Sequence, residues 1–148
     1  MKAKTESVLP APLDVVWELM QRSDTLSFIT KDKVKFLDAD NWPEKWQVGQ
    51  SVNTLVKPTN GKAFPYKFTF TEIDQQNHSM TTTEEGGDVK EWLHWMKVEA
   101  VDKITCRYID VVQFKTNNPL LTIPAWIWIK KYYRDRHYRW IDLLYKKD

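Results

Sequence analysis

The sequence predicts an α+β fold, a curved antiparallel sheet of about seven strands wrapped around one long C-terminal helix, with two short helices between strands 1 and 2. Three observations carry this reading. Phe64, Tyr66, Phe68 and Phe70 alternate with Pro65, Lys67, Thr69 and Thr71, the period of two that a half-buried strand requires. Short turn signals (Pro58-Thr59-Asn60-Gly61, Asp74-Gln75-Gln76-Asn77 and Gly86-Gly87-Asp88) join this run to its neighbours, so the strands form a meander. Finally, no Gly or Pro interrupts the chain between Pro124 and Tyr145. At about 100° per residue, Trp126, Ile129, Tyr133, His137, Trp140 and Leu144 fall within an arc of roughly 80°. A helix with bulky rings along one face needs a concave partner, and only the sheet is large enough.

The elements follow in order. Residues 2–9 read as a first strand closed by Pro10-Ala11-Pro12, with Pro12 preorganised for the first helical position. Leu13, Val16, Trp17 and Met20 then keep the spacing of a short amphipathic helix. Ser23 is the expected N-cap of a second helix carrying Leu26, Phe28 and Ile29. Residues 34–37 form a short strand, residues 41–46 a loop, and Gly49 precedes a strand over residues 51–57. After the aromatic strand come residues 78–85, 90–100 and 104–114, the last two separated by Asp102-Lys103. Asn117-Asn118-Pro119 breaks the sheet, and Pro124 opens the final helix.

The bulk properties bound the rest. Residues 1–148 fit one domain, with 42% hydrophobic and 28% charged residues, an ordinary globular balance. A net charge of +2 is too small to suggest a nucleic-acid partner. The single cysteine, Cys106, excludes an internal disulfide and reads as a buried, inert thiol. No signal-like leader and no apolar run of about 20 residues is present, so the expectation is a cytoplasmic protein without stable membrane insertion. The three histidines and one cysteine lack ligand spacing, and there is no Gly-rich phosphate loop or G-x-S-x-G elbow. No metal and no cofactor is expected. Glu84 and Glu85 are adjacent and must face opposite sides of a strand, unlike paired catalytic carboxylates.

Particular segments carry a resemblance. Ser7-Val8-Leu9-Pro10-Ala11-Pro12-Leu13-Asp14-Val15-Val16-Trp17 resembles the opening of the START-like (SRPBCC) superfamily, where a strand meets a helix through a Pro-containing turn. Trp46-Gln47-Val48-Gly49 is similar to that superfamily's loop before the third strand. Trp92-Leu93-His94 with Val98-Glu99, Tyr108-Ile109-Asp110-Val111-Val112, and the run from Arg136 to Leu144 are similar to segments of some bacterial members. The resemblance implies a helix-grip fold and a class that spans plant allergen-type ligand carriers, polyketide cyclases, lipid-transfer domains and co-chaperone regulators. Where the bacterial strand often carries a second His this chain has Met96, so chemistry needing a His pair is not carried over.

The expected site is a cavity for a small hydrophobic or amphipathic molecule, lipid-like or aromatic. Tyr66, Phe68 and Phe70 form one wall, Trp92, His94 and Met96 the floor, and Tyr108 and Asp110 stand beside them. Trp126, Ile129, Tyr133, His137 and Trp140 make the lid. Large rings can also fill such a space and leave a solid core. Asp110 approaches His94 from the neighbouring strand, for a structural hydrogen bond, for orienting a ligand, or for acid–base work. His137 either caps a ligand's polar end or packs among aromatics. A catalytic site needs a base, an orienting group and a stabiliser of developing charge. The sequence names only the first two, so no catalytic residue is assigned. A polyketide cyclase or dehydratase and a co-chaperone-like interaction module remain alternatives. Lys130, Lys131, Arg134, Arg136 and Arg139 read as a solvated helix face, with Arg136 at the margin of the stripe. His78, just after a turn, is expected to be exposed. Trp128 points away from the stripe, towards the residue 41–46 loop or an interface. The oligomeric state stays open.

Overall fold

The computed structural model describes residues 1–87 and 89–146. Strand β1 (Lys2–Leu9) leads into α1 (Leu13–Met20) and α2 (Ser23–Thr30). There follow β2 (Val34–Phe36), β3 (Ser51–Pro58), β4 (Phe64–Asp74), β5 (Ser79–Glu85), β6 (Val89–Ala100), β7 (Cys106–Thr116) and α3 (Thr122–Tyr145). One sheet of 7 strands runs β1-β7-β6-β5-β4-β3-β2. Every adjacent pair is antiparallel. Strands β2 to β7 are thus a meander, and β1 closes the far edge against β7, with Ala3 opposite Val112 and Leu9 opposite Cys106.

Short polar side chains make the hairpins tight. The Asp102 carboxylate accepts from the backbone N–H groups of Ile104 and Thr105, at 2.9 and 2.8 Å, and turns β6 into β7. Asp74 accepts from Gln76 and Asn77, both at 3.0 Å, before β5. His78 finishes that turn with φ of 54°. It is half-buried and sits edge-on to Trp17 at 5.5 Å, not exposed as the turn signal suggested.

Three helix starts differ from the sequence reading. Pro12 is the N-cap of α1, one residue ahead of the helix. Arg22 occupies the cap position of α2, and Ser23 is already helical, its hydroxyl 3.3 Å from the Glu44 carbonyl. Helix α3 starts at Thr122, because Asn118 accepts from Leu120 N–H and seeds a 3₁₀ turn over Pro119–Leu121. Pro124 then falls in the first turn, where its missing N–H leaves nothing unpaired.

Helix α3 is continuous and packs across the sheet in two zones. Near its start, Ile129 and Tyr133 cover Ala3, Val112 and Phe114, with Ala125 and Trp126 packed alongside. Near its end, Trp140 enters the main core with Leu9, Trp17, Phe68, Phe70, Met96 and Tyr108. Two further contacts reach the open edge of β1: Trp126 Nε1 donates to the Lys2 carbonyl at 2.9 Å, and Lys130 Nζ donates to the Lys4 carbonyl. Trp42 and Trp46 pin the long β2–β3 connection to β4, with Trp46 stacked on Phe70 at 4.8 Å. Cys106 is fully buried at the β1–β7 register end, and burial pushes its thiol up to about 11. Among the described residues no helix is long and apolar enough to cross a membrane.

Candidate functional site

Between the sheet and α3 lies a cavity of about 580 Å³, within the range of small-molecule sites. The space is not filled by its own rings. Tyr66, Phe68 and Phe70 line it from β4, Trp92, His94 and Met96 from β6, and Tyr108 from β7. Tyr133 and Trp140 close it from α3. The alternation on β4 and β6 therefore reports the inward face correctly, even though β4 carries a bulge between Phe70 and Glu72.

Four expected residues do not reach the cavity. Trp126 and Ile129 belong to the first packing zone of α3, over β1 and β7, and roof solid core instead. Asp110 and His137 lie one layer behind the wall, where they bond to each other. Other residues take their place. Glu84, Arg136, Tyr132 and Trp128 all line the cavity, and none was singled out as a ligand-binding residue from sequence.

The polar side of the cavity is one connected network. Asp110 is fully buried, and each of its carboxylate oxygens meets an imidazole: Oδ1 lies 2.6 Å from His94 Nε2, and Oδ2 lies 2.8 Å from His137 Nε2. His137 Nδ1 continues to Ser7 Oγ at 2.6 Å. His94 Nδ1 faces the cavity side, 3.4 Å from the Tyr133 hydroxyl and 3.8 Å from Glu84 Oε2. Glu84 in turn accepts from the Tyr66 hydroxyl, and from Thr82 Oγ1 at 3.0 Å. An ionised carboxylate only accepts, so both imidazoles present N–H groups to Asp110.

Charge follows from these contacts. Burial pushes the Asp110 carboxyl upwards, but the two imidazoles outweigh it and hold it well below the usual carboxylate range. For His94, burial disfavours the charged ring; the charge and hydrogen bond of Asp110, then Glu84, reverse this and raise its pKa. Burial likewise opposes ionisation of Glu84, yet His94, the Tyr66 hydroxyl and Arg136 keep its pKa low. Asp110 and Glu84 are thus shifted towards their anionic forms beside the cavity, and His94 towards its charged form.

Arg136 is the residue the sequence reading misplaced. It is only 7% exposed, with its guanidinium over the Tyr133 ring at 4.7 Å and the Tyr132 ring at 5.7 Å. The two tyrosines stand three and four residues earlier on α3, on the face that Arg136 shares, and so hold the guanidinium between sheet and helix. Among the described residues it forms no ion pair, and its Nε has no hydrogen-bond acceptor. Trp92 Nε1 is also buried without an acceptor. Trp128 packs against Tyr132, ring centroids 4.9 Å apart and tilted, at the cavity's edge and half in solvent, and not under the residue 41–46 loop. Gly86 lines the cavity with φ of 143°; a Cβ there would come within 2.6 Å of Tyr66 and 2.8 Å of the Pro65 carbonyl. Only glycine lets that turn lie so close to β4.

No group of His, Cys, Asp and Glu among the described residues is arranged to hold a metal ion. No protein-family model and no curated protein matches the chain. Solved structures do. Ara h 8.0201 superposes with a TM-score of 0.76 at 14% identity, over 99% of this chain and 99% of that one. The protein TTHA0849 of Thermus thermophilus gives 0.75 at 13% identity over 100% of both chains. Norcoclaurine synthase from Thalictrum flavum, solved in complex with dopamine and hydroxybenzaldehyde, gives 0.72 at 14% identity, over 100% of this chain and 88% of that one. At such identities the likeness is one of fold, and the sheet order, the paired short helices and the long terminal helix agree with it: the chain has the helix-grip fold.

Proposed function

We propose that the chain binds a small amphipathic molecule whose apolar body lies against the aromatic wall and whose oxygen-bearing head meets Arg136. The cavity itself supports this, because its mainly apolar, ring-rich lining includes a buried guanidinium whose Nε has no acceptor among the described residues. Buried donors are satisfied in nearly all proteins, so a ligand acceptor is the natural complement here. Among the described residues neither Asp110 nor Glu84 forms an ion pair with Arg136; their oxygens accept from His94, His137, Tyr66 and Thr82. Native mass spectrometry of freshly purified protein should find a co-purified small molecule. In titrations, laurate should bind more tightly than dodecylamine. Arg136→Gln should weaken laurate by roughly 10–100-fold, the scale of a charge-assisted hydrogen bond. Binding of neither probe by the correctly folded protein would refute the reading.

A second reading has one observation in its favour. His94, oriented by Asp110, is joined on the cavity wall by the Arg136 cation, the third part an acid–base site needs. A polyketide cyclase-like enzyme would use such a set. We expect His94→Gln to alter affinity and to leave no turnover to lose. A wild-type rate that falls roughly a hundredfold in this variant would favour the enzyme instead. The co-chaperone-like module calls for a cavity filled by its own side chains, and the open volume counts against it.

A further inference from the structure

We infer that the start of α3, with the turn before it, is a docking surface for an anionic lipid bilayer and sets the Trp128 side of the cavity against that surface. Leu120 is 84% exposed, Ile123 66% and Trp128 51%, and Leu121 and Ile127 are exposed beside them. Isolated exposed apolar residues are ordinary, but five large ones within nine positions on one end of a helix form a patch. They are not a remnant of the core stripe. On α3, Ile123, Ile127, Lys131 and Arg134 lie within an arc of about 80° on the outward side, so the apolar tip continues directly into basic side chains. Between Val111 and Arg134 the chain has Lys115, Lys130, Lys131 and Arg134 and no acidic residue. Among the described residues, acids at its margin include Glu91, the register partner of Lys115, and Asp135, which pairs with Lys33 and Arg134.

This pattern is that of an interfacial segment: leucine, isoleucine and tryptophan at the tip, cations one or two turns behind it to meet lipid phosphates. A second copy of the chain fits less well, because a twofold contact through this face would set Lys131 and Arg134 near their own counterparts. The position matters as much as the composition. Trp128 belongs both to the patch and to the cavity lining. Docking here would bring the bilayer to the Trp128 side of the cavity. The surface is independent of the ligand proposed above, and it can be tested with vesicles alone.

The probe is co-sedimentation of the full chain with vesicles of phosphatidylcholine, with or without about a third phosphatidylglycerol. The protein should sediment with the anionic vesicles, and should release as salt is raised. Leu120→Asp with Ile123→Asp should reduce this binding at least tenfold, as should Lys131→Glu with Arg134→Glu. All four side chains are solvent-facing, so both double variants should melt within a few degrees of wild type, which shows that they are folded. Failure of the wild-type chain to bind anionic vesicles would overturn the inference. So would binding that neither double variant weakens, or a concentration-dependent dimer that the Leu120→Asp, Ile123→Asp pair abolishes. Laurate binding by either double variant should match wild type, so loss of docking and loss of the cavity site are read separately.

Discussion

Asp110→Ala is expected to destabilise the protein by about 3–5 kcal/mol, because it strips two buried imidazoles of their shared acceptor. Asp110 is 1% exposed, and His94 and His137 are 2% and 3% exposed, so water cannot replace the lost carboxylate. The same network makes stability depend on pH from both sides. Asp110 and Glu84 have lowered pKa values, so their contribution is present above the unfolded carboxylate value of about 4 and is lost as pH falls through the folded values. His94 has a raised pKa; its contribution is full below the unfolded histidine value of about 6.5 and is lost as pH rises through the folded value. The network should therefore contribute most between about pH 4 and 6.5. Urea melts of wild type and Asp110→Asn at about pH 5.5 and pH 8.5 read this directly. The penalty of the Asn variant should shrink at the higher pH, and an equal penalty at both would show that His94 carries no charge in the folded protein.

Trp140→Ala should cost about 3–5 kcal/mol, and Trp128→Ala much less. Both are large rings on α3, twelve residues apart. Trp140 is 1% exposed and lies against the Tyr108 ring at 5.1 Å, whereas half of Trp128 is in solvent. Deleting Trp140 leaves a void that the sheet cannot close, since Tyr108, Phe68 and Phe70 are fixed by strand register. Equal losses in urea melts would mean that the helix face is assigned wrongly.

The fold could be read from the chain because its signals are periodic and local. Alternation on β4, turn residues between hairpins and the ring stripe on α3 each report one element, and together they leave one packing solution. The approach of Asp110 to His94 was legible for the same reason, as adjacent antiparallel strands bring inward residues side by side. What could not be read depends on how elements meet. Adjacency shows that Glu84 and Glu85 face opposite ways, but only the register with β4 decides that Glu84 is the inward one, beside Tyr66. Arg136 carries the same charge as the solvated Lys131; the helical arc puts it at the margin of the stripe but does not tell that Tyr132 and Tyr133 hold it under the helix. His137 bonds to a carboxylate 27 residues away on another element. Trp126 and Ile129 lie on the correct face of α3, yet that face spans both a solid zone and a hollow one.

The grip of α3 on β1 has a further consequence, for the behaviour of many copies together. An open sheet ends in two strands whose outward amides and carbonyls can recruit a strand from another molecule, the first step towards edge-to-edge aggregation. At one end this sheet stops at β2, only 3 residues long, too short to template much pairing. At the other, two carbonyls of β1 that point away from β7 are already taken, that of Lys2 by the Trp126 indole and that of Lys4 by the Lys130 ammonium. The helix that roofs the interior thus also guards the sheet's longer border, and a chain that loses those two side chains would expose an eight-residue ladder to its neighbours.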